Sequence, residues 1–127
     1  RFAQMLVNGG ELGGVRILSP ASVEMMGTDM IPKTATVSSN GSVGLRFNDA
    51  VGFGLDLMVM KDPRKAGSRE GEGTMSWGGA AGTWFWADPA NDVVFVGMIQ
   101  RFGGTGGPDL GTLTRTLVYQ ALVDPAK

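Results

Sequence analysis

The stretch Val93–Ile99, Val-Val-Phe-Val-Gly-Met-Ile, constrains this chain most, because it is apolar at odd and even positions alike. Successive side chains of a strand point to opposite faces, so such a run asks for cover on both sides and reads as a central strand. Asp88-Pro89-Ala90-Asn91-Asp92 precedes it. There Pro pre-sets φ, and Asn or Asp tolerates the left-handed region, which makes a tight turn. Ahead of the turn, Thr83–Ala87 places Trp84 and Trp86 on one face of a strand and Phe85 on the other. Two strands joined by a short turn run antiparallel.

The pattern extends upstream. Val51, Phe53, Leu55, Leu57 and Val59 alternate with Gly52, Gly54, Asp56, Met58 and Met60, predicting one strand with a strongly apolar face. Thr74–Gly79 predicts another, joined to it by the polar hairpin loop Lys61–Gly73. Phe2, Met5 and Leu6 have helical spacing, ended by Asn8-Gly9-Gly10. After a connector that turns at Gly13-Gly14, Ser19-Pro20 starts a second helix, with Ser as N-cap and Pro at the first helical position. Residues 28–50 are aperiodic and read as a long loop. Leu110, Leu113, Leu117 and Ala121, with Val118 and Leu122, form the apolar stripe of a closing helix. The expected architecture is therefore α+β: one domain over residues 1–127, with an antiparallel sheet of three to four strands, N-terminal helices, and a C-terminal helix packed on the sheet.

Composition excludes much chemistry. The chain has no His and no Cys, which removes a Ser-His-Asp triad, thiolate chemistry and imidazole- or thiolate-bound metal. Neither a metal nor a cofactor is expected. The net charge of -1, without runs of either sign, offers no footprint for nucleic acid. No run is long and apolar enough for a membrane-spanning helix. The chain opens at Arg1 inside a helical pattern with no visible N-cap, which reads as a cut through a longer chain.

Most motif matches fail. Gly103-Gly104-Thr105-Gly106-Gly107 lacks the Lys-Ser or Lys-Thr of a phosphate loop, and no G-x-S-x-G elbow occurs. Asp56, Glu70 and Glu72 are the carboxylates near the strands; Glu70 and Glu72 fall in the polar hairpin, where solvated surface charge is expected. The unusual stretch is Ser76-Trp77-Gly78-Gly79-Ala80-Ala81-Gly82-Thr83-Trp84-Phe85-Trp86. Adjacent glycines inside a hairpin fit either a close approach of a ligand to the backbone or a plain glycine turn, and the residues alone leave both open.

That stretch, with Ala87-Asp88-Pro89 and the apolar strand behind it, resembles the C-terminal part of the β-lactamase-like serine hydrolases: class C β-lactamases, DD-peptidases and related esterases. Residues 1–12 and Arg16-Ile17-Leu18-Ser19-Pro20 resemble the segment preceding those strands, so the likeness runs from residue 1 to about residue 122. The Trp-Gly-Gly form is closer to the esterase branch. The resemblance implies an acyl-serine mechanism with an S-x-x-K nucleophile and with Lys and Tyr in place of His. It sets Trp77, Gly78 and Gly79 at the third-motif positions, as substrate-binding residues, and gives the Ala80 N–H one place in the oxyanion hole. The substrate class implied is a small ester or amide.

The rest of that machinery is absent from this sequence. No Ser is followed three residues later by Lys, and the single tyrosine, Tyr119, precedes Gln120-Ala121 rather than completing a Tyr-x-Asn. Ser38-Ser39-Asn40 mimics a second motif, but it lies too close to Trp77 and reads as loop. The expectation is a segment lacking its nucleophile, whose partner is the missing N-terminal part of the same fold or a second copy. The alternatives are a non-catalytic module that pairs with another chain, and an unrelated glycine-rich domain binding a ligand at Trp84 and Trp86.

Overall fold

A computed structural model describes residues 1–32, 47–102 and 107–123. Helix α1 (Phe2–Val7) buries Ala3, Met5 and Leu6, the side its spacing assigned to the core. Gly10 then turns the chain at φ 97°, and a Cβ there would lie 2.2 Å from the Leu18 carbonyl oxygen, so the site admits only glycine. A small hairpin, β1 (Glu11–Leu12) and β2 (Val15–Arg16), forms the connector. Helix α2 (Pro20–Met26) starts as expected, with Ser19 Oγ accepting from the Ser22 N–H at 3.1 Å. Ser38-Ser39-Asn40 lies outside the described residues, as does most of the Gly103–Gly107 loop.

The main sheet is antiparallel throughout. Its strands are β3 (Val51–Phe53), β4 (Met58–Met60), β5 (Met75–Gly79), β6 (Thr83–Asp88) and β7 (Val93–Met98), in that spatial order. The class is the expected α+β, and the strand count rises to five because the run 51–60 is two strands. Gly54 donates to the Leu57 carbonyl at 2.8 Å, and Asp56 sits at φ 68°. An alternating pattern continues unbroken across such a reversal when the turn residues happen to keep the alternation. The following connection holds a one-turn helix, α3 (Pro63–Ala66), capped by Asp62.

The apolar run of β7 is only partly covered, and the expected face of the closing helix is corrected. Among the described residues β7, the stretch read as a central strand, pairs with β6 alone, and its Val96 and Met98 are 54% and 78% exposed, so the cover that its apolar run asks for does not come from these residues. One face of the sheet lies under α1, where Phe2 meets the Phe85 ring edge-on and Met75, Ala87 and Val94 join the core. At six residues α1 covers only the near end of that face, leaving Val96 and Met98 open. The other face lies under α4 (Leu110–Ala121), the closing helix, but not through its leucines. Thr114 accepts from Trp84 Nε1, Arg115 lies over the Trp86 ring, and Tyr119 packs beside it. Leu113 and Leu117 are 45% and 56% exposed. The helix meets aromatic rings whose edges need polar partners, so its polar stripe faces the sheet.

Candidate functional site

The residues singled out by sequence lie at one end of the β5–β6 hairpin. Gly79 pairs with Thr83, and the Gly82 N–H donates to the Gly79 carbonyl at 3.0 Å. Ala80 and Ala81 keep negative φ while Gly82 adopts φ 86°, the pattern of a three-residue hairpin loop closed by a left-handed glycine. The chain leaving β7 returns to brace this tip. Ile99 N–H donates to Gly82 O and Arg101 N–H to Ala81 O, each at 3.1 Å. A hollow of about 510 Å³ opens beside the tip, lined by Gly79, Ala80, Thr83, Arg101 and the start of α4.

Within that frame the four candidates differ. Ala80 is exposed, and among the described residues no acceptor meets its N–H. Gly79 is exposed too, and a Cβ there would come within 2.6 Å of Thr83 Oγ1 on the neighbouring strand. Gly78 is not crowded by its own chain: a Cβ would meet Thr83 O at 3.4 Å, an ordinary contact. Trp77 is half-buried and lines a hollow of about 440 Å³ together with Gly78, Gly79 and Thr83. Its ring packs edge-on against Phe53, 5.4 Å between centroids, and it borders the core. It therefore forms a wall of that hollow.

The carboxylates behave unlike their neighbours in sequence. Glu70, expected on the solvated surface, is 5% exposed and ion-paired with Arg115 of α4. Burial pushes its carboxyl above the usual range; the Arg115 charge and hydrogen bond offset this only in part. Glu72 is exposed and Asp56 occupies the β3–β4 turn, so the three form no catalytic pair.

Sequence reasoning missed the hub beside Glu70. Asp88, fully buried, accepts from Tyr119 Oη at 2.5 Å, Asn91 Nδ2 at 2.7 Å, the Gly71 N–H at 2.8 Å and the Asn91 N–H at 3.1 Å. It ties the β6–β7 turn, the segment before β5 and the closing helix together. Burial first, and then the carboxylate it donates to, hold the Tyr119 hydroxyl far above its usual range, so it is not poised to exchange a proton. The available signal was Arg115 and Tyr119 at i, i+4 on a helix over aromatic strands. A second staple closes the opposite edge of the sheet. Asp29 Oδ1 accepts from Phe53 N–H at 3.1 Å, and Lys61 Nζ lies 2.6 Å from its Oδ2. Burial alone would raise the Asp29 carboxyl, but the Lys61 hydrogen bond and the Phe53 and Ile31 N–H groups pull it below the usual carboxylate range. Among the described residues no group of three or more His, Cys, Asp or Glu is placed to hold a metal ion.

Comparison with known proteins gives the family and the fold. The family model described as Beta-lactamase matches residues 1–119. Protein Rv1367c and uncharacterized protein MT1414, both of Mycobacterium tuberculosis, are each 43% identical over 104 residues, covering 80% of this chain and 25% of theirs. The chain thus spans about a quarter of the length of these relatives. The solved structure of EstCE1, described as a hydrolase with promiscuous acyltransferase activity, matches with a TM-score of 0.70 and 24% identity, over 92% of this chain and 27% of that one. At that identity the likeness is one of fold.

Proposed function

Since this chain belongs to the Beta-lactamase family, we propose that it is the C-terminal segment of a serine hydrolase of esterase or β-lactamase-like type, supplying the third-motif strand and one oxyanion-hole donor. In that reading a serine outside residues 1–127 attacks the substrate carbonyl, and the electron pair of the C=O bond moves onto oxygen. The Ala80 N–H donates to that oxyanion, the tetrahedral species collapses with loss of the alcohol or amine, and water releases the acyl group. Gly78 and Gly79 leave the strand bare where the substrate lies, and Trp77 walls the site from the core. The observation that carries the reading is the N–H of the exposed Ala80, which meets no acceptor among the described residues and is held on a tip braced by residues 99–101.

The experiment is labelling of the full-length protein with a fluorophosphonate, followed by peptide mapping and an assay on p-nitrophenyl butyrate. The expected result is turnover with one labelled serine outside residues 1–127. Labelling of a serine within them, or neither labelling nor turnover, overturns the reading.

The partner belongs to the same proposal. The edge of β7, unpaired among the described residues, with Val96 and Met98, and the exposed Leu113 and Leu117 of α4 ask for cover, and the rest of the same protein supplies it. The isolated segment should then self-associate. Sedimentation showing a folded monomer over a hundredfold concentration range would refute this.

The second reading, a non-catalytic module that pairs with another chain, draws on that same uncovered edge. A full-length protein that binds its partner but turns over no ester would favour it.

A further inference from the structure

Thr83 stands out among the threonines. Thr28, Thr74, Thr112, Thr114 and Thr116 each place their hydroxyl in a hydrogen bond within the chain. Among the described residues the Thr83 hydroxyl has no such partner, although this residue opens β6 and lines both the hollow beside Ala80 and the adjoining one of about 440 Å³ shared with Trp77 and Gly79. It lies across from Gly79, and a Cβ at position 79 would reach 2.6 Å from its oxygen. Gly79 has no positive φ that would require glycine. The bare position therefore serves space, and the space it opens is the one in front of the Thr83 hydroxyl. The free Ala80 N–H lies on the same tip, on the next residue.

We infer that Thr83 is a substrate-positioning residue, whose hydroxyl hydrogen-bonds a hydroxyl or amide substituent on an acyl substrate while Ala80 holds the reacting carbonyl oxygen. This rests on the hydrolase reading above. A threonine hydroxyl donates one hydrogen bond and accepts others, so it suits a group that does both. The substrate class narrows to acyl compounds with a polar substituent near the carbonyl, in preference to plain alkyl esters.

The test uses the full-length protein and two matched substrates, p-nitrophenyl butyrate and p-nitrophenyl 3-hydroxybutyrate. The expected result is a preference for the hydroxylated ester of about three- to tenfold in kcat/KM, the range of one neutral hydrogen bond. Thr83→Val keeps the shape and should abolish the preference by lowering kcat/KM on the hydroxylated ester to the level of butyrate; Thr83→Ser should restore it. A wild-type protein without the preference, or a preference that survives Thr83→Val, overturns the inference. So does an equal loss on both esters together with a lowered Tm, which would mean that the hydroxyl bonds the rest of the protein. Absence of turnover on both esters removes the hydrolase reading and this inference with it, whereas turnover without a Thr83 effect removes the inference alone.

Discussion

Ala80→Pro separates a backbone donor from a turn former, and the hairpin geometry makes the substitution unusually clean. Ala80 is the second residue of the turn closed by the Gly82 N–H and the Gly79 carbonyl, and its φ is negative. Proline favours that turn position and pre-sets a φ near -65°. The residue before it, Gly79, already lies in a strand, the conformation that proline imposes on its predecessor. The N–H that proline removes has no acceptor among the described residues, so no hydrogen bond within them is lost. Stability should hold or rise by about 0.4–1 kcal/mol through the stiffened unfolded chain. If the N–H serves the oxyanion, the transition state loses about 3–4 kcal/mol, a hundred- to a thousandfold in kcat. Ala80→Ser keeps the N–H and should stay within a few-fold of the parent. The assay is ester turnover by the full-length protein, with Tm measured on the same samples. A proline variant with unchanged Tm and full activity would refute the role of Ala80. A variant with depressed Tm and unchanged turnover per folded molecule would show that position 80 only shapes the turn.

Tyr119→Phe removes one donor from the buried Asp88 carboxylate, which keeps the Gly71 and Asn91 donors; the loss of stability should lie toward the lower end of about 1.5–3 kcal/mol, and an unchanged urea midpoint would contradict it. For Glu70 the folded carboxyl sits above its ordinary 4.5, so the folded state binds the proton more tightly than the unfolded chain does. Its contribution to stability is therefore fully present below 4.5 and is lost as pH rises through the raised value. Glu70→Gln should flatten that part of the Tm-versus-pH profile, and a variant with the parent's slope there would assign the slope to another group.

Local chemistry made much of the fold legible. Ser19-Pro20 announces α2 because a hydroxyl satisfies an orphan N–H and proline needs none. Trp84 and Trp86 fall on one face and Phe85 on the other because strand side chains alternate. The Trp-Gly-Gly-Ala stretch was equally visible, since two glycines before a strand of aromatics are rare enough to mark a place. The β3–β4 reversal was hidden, because Asp56 enters the left-handed region without a glycine to signal it. Thr83 was read only as a strand start, since a free hydroxyl is recognised only against neighbours that leave it unpaired.

Sequence by itself determined the fold class, the start of α2, the faces of β6 and the position of the hairpin tip, all of which depend on residues close along the chain. Tertiary structure alone decided three things. It left the most apolar strand with β6 as its one neighbour among the described residues, turned the polar stripe of α4 onto the tryptophans, and buried Glu70 against Arg115. Each depends on what a distant segment covers. Hydrophobicity demands burial without naming the partner, and a charge becomes affordable inside only when an opposite charge arrives from elsewhere in the chain.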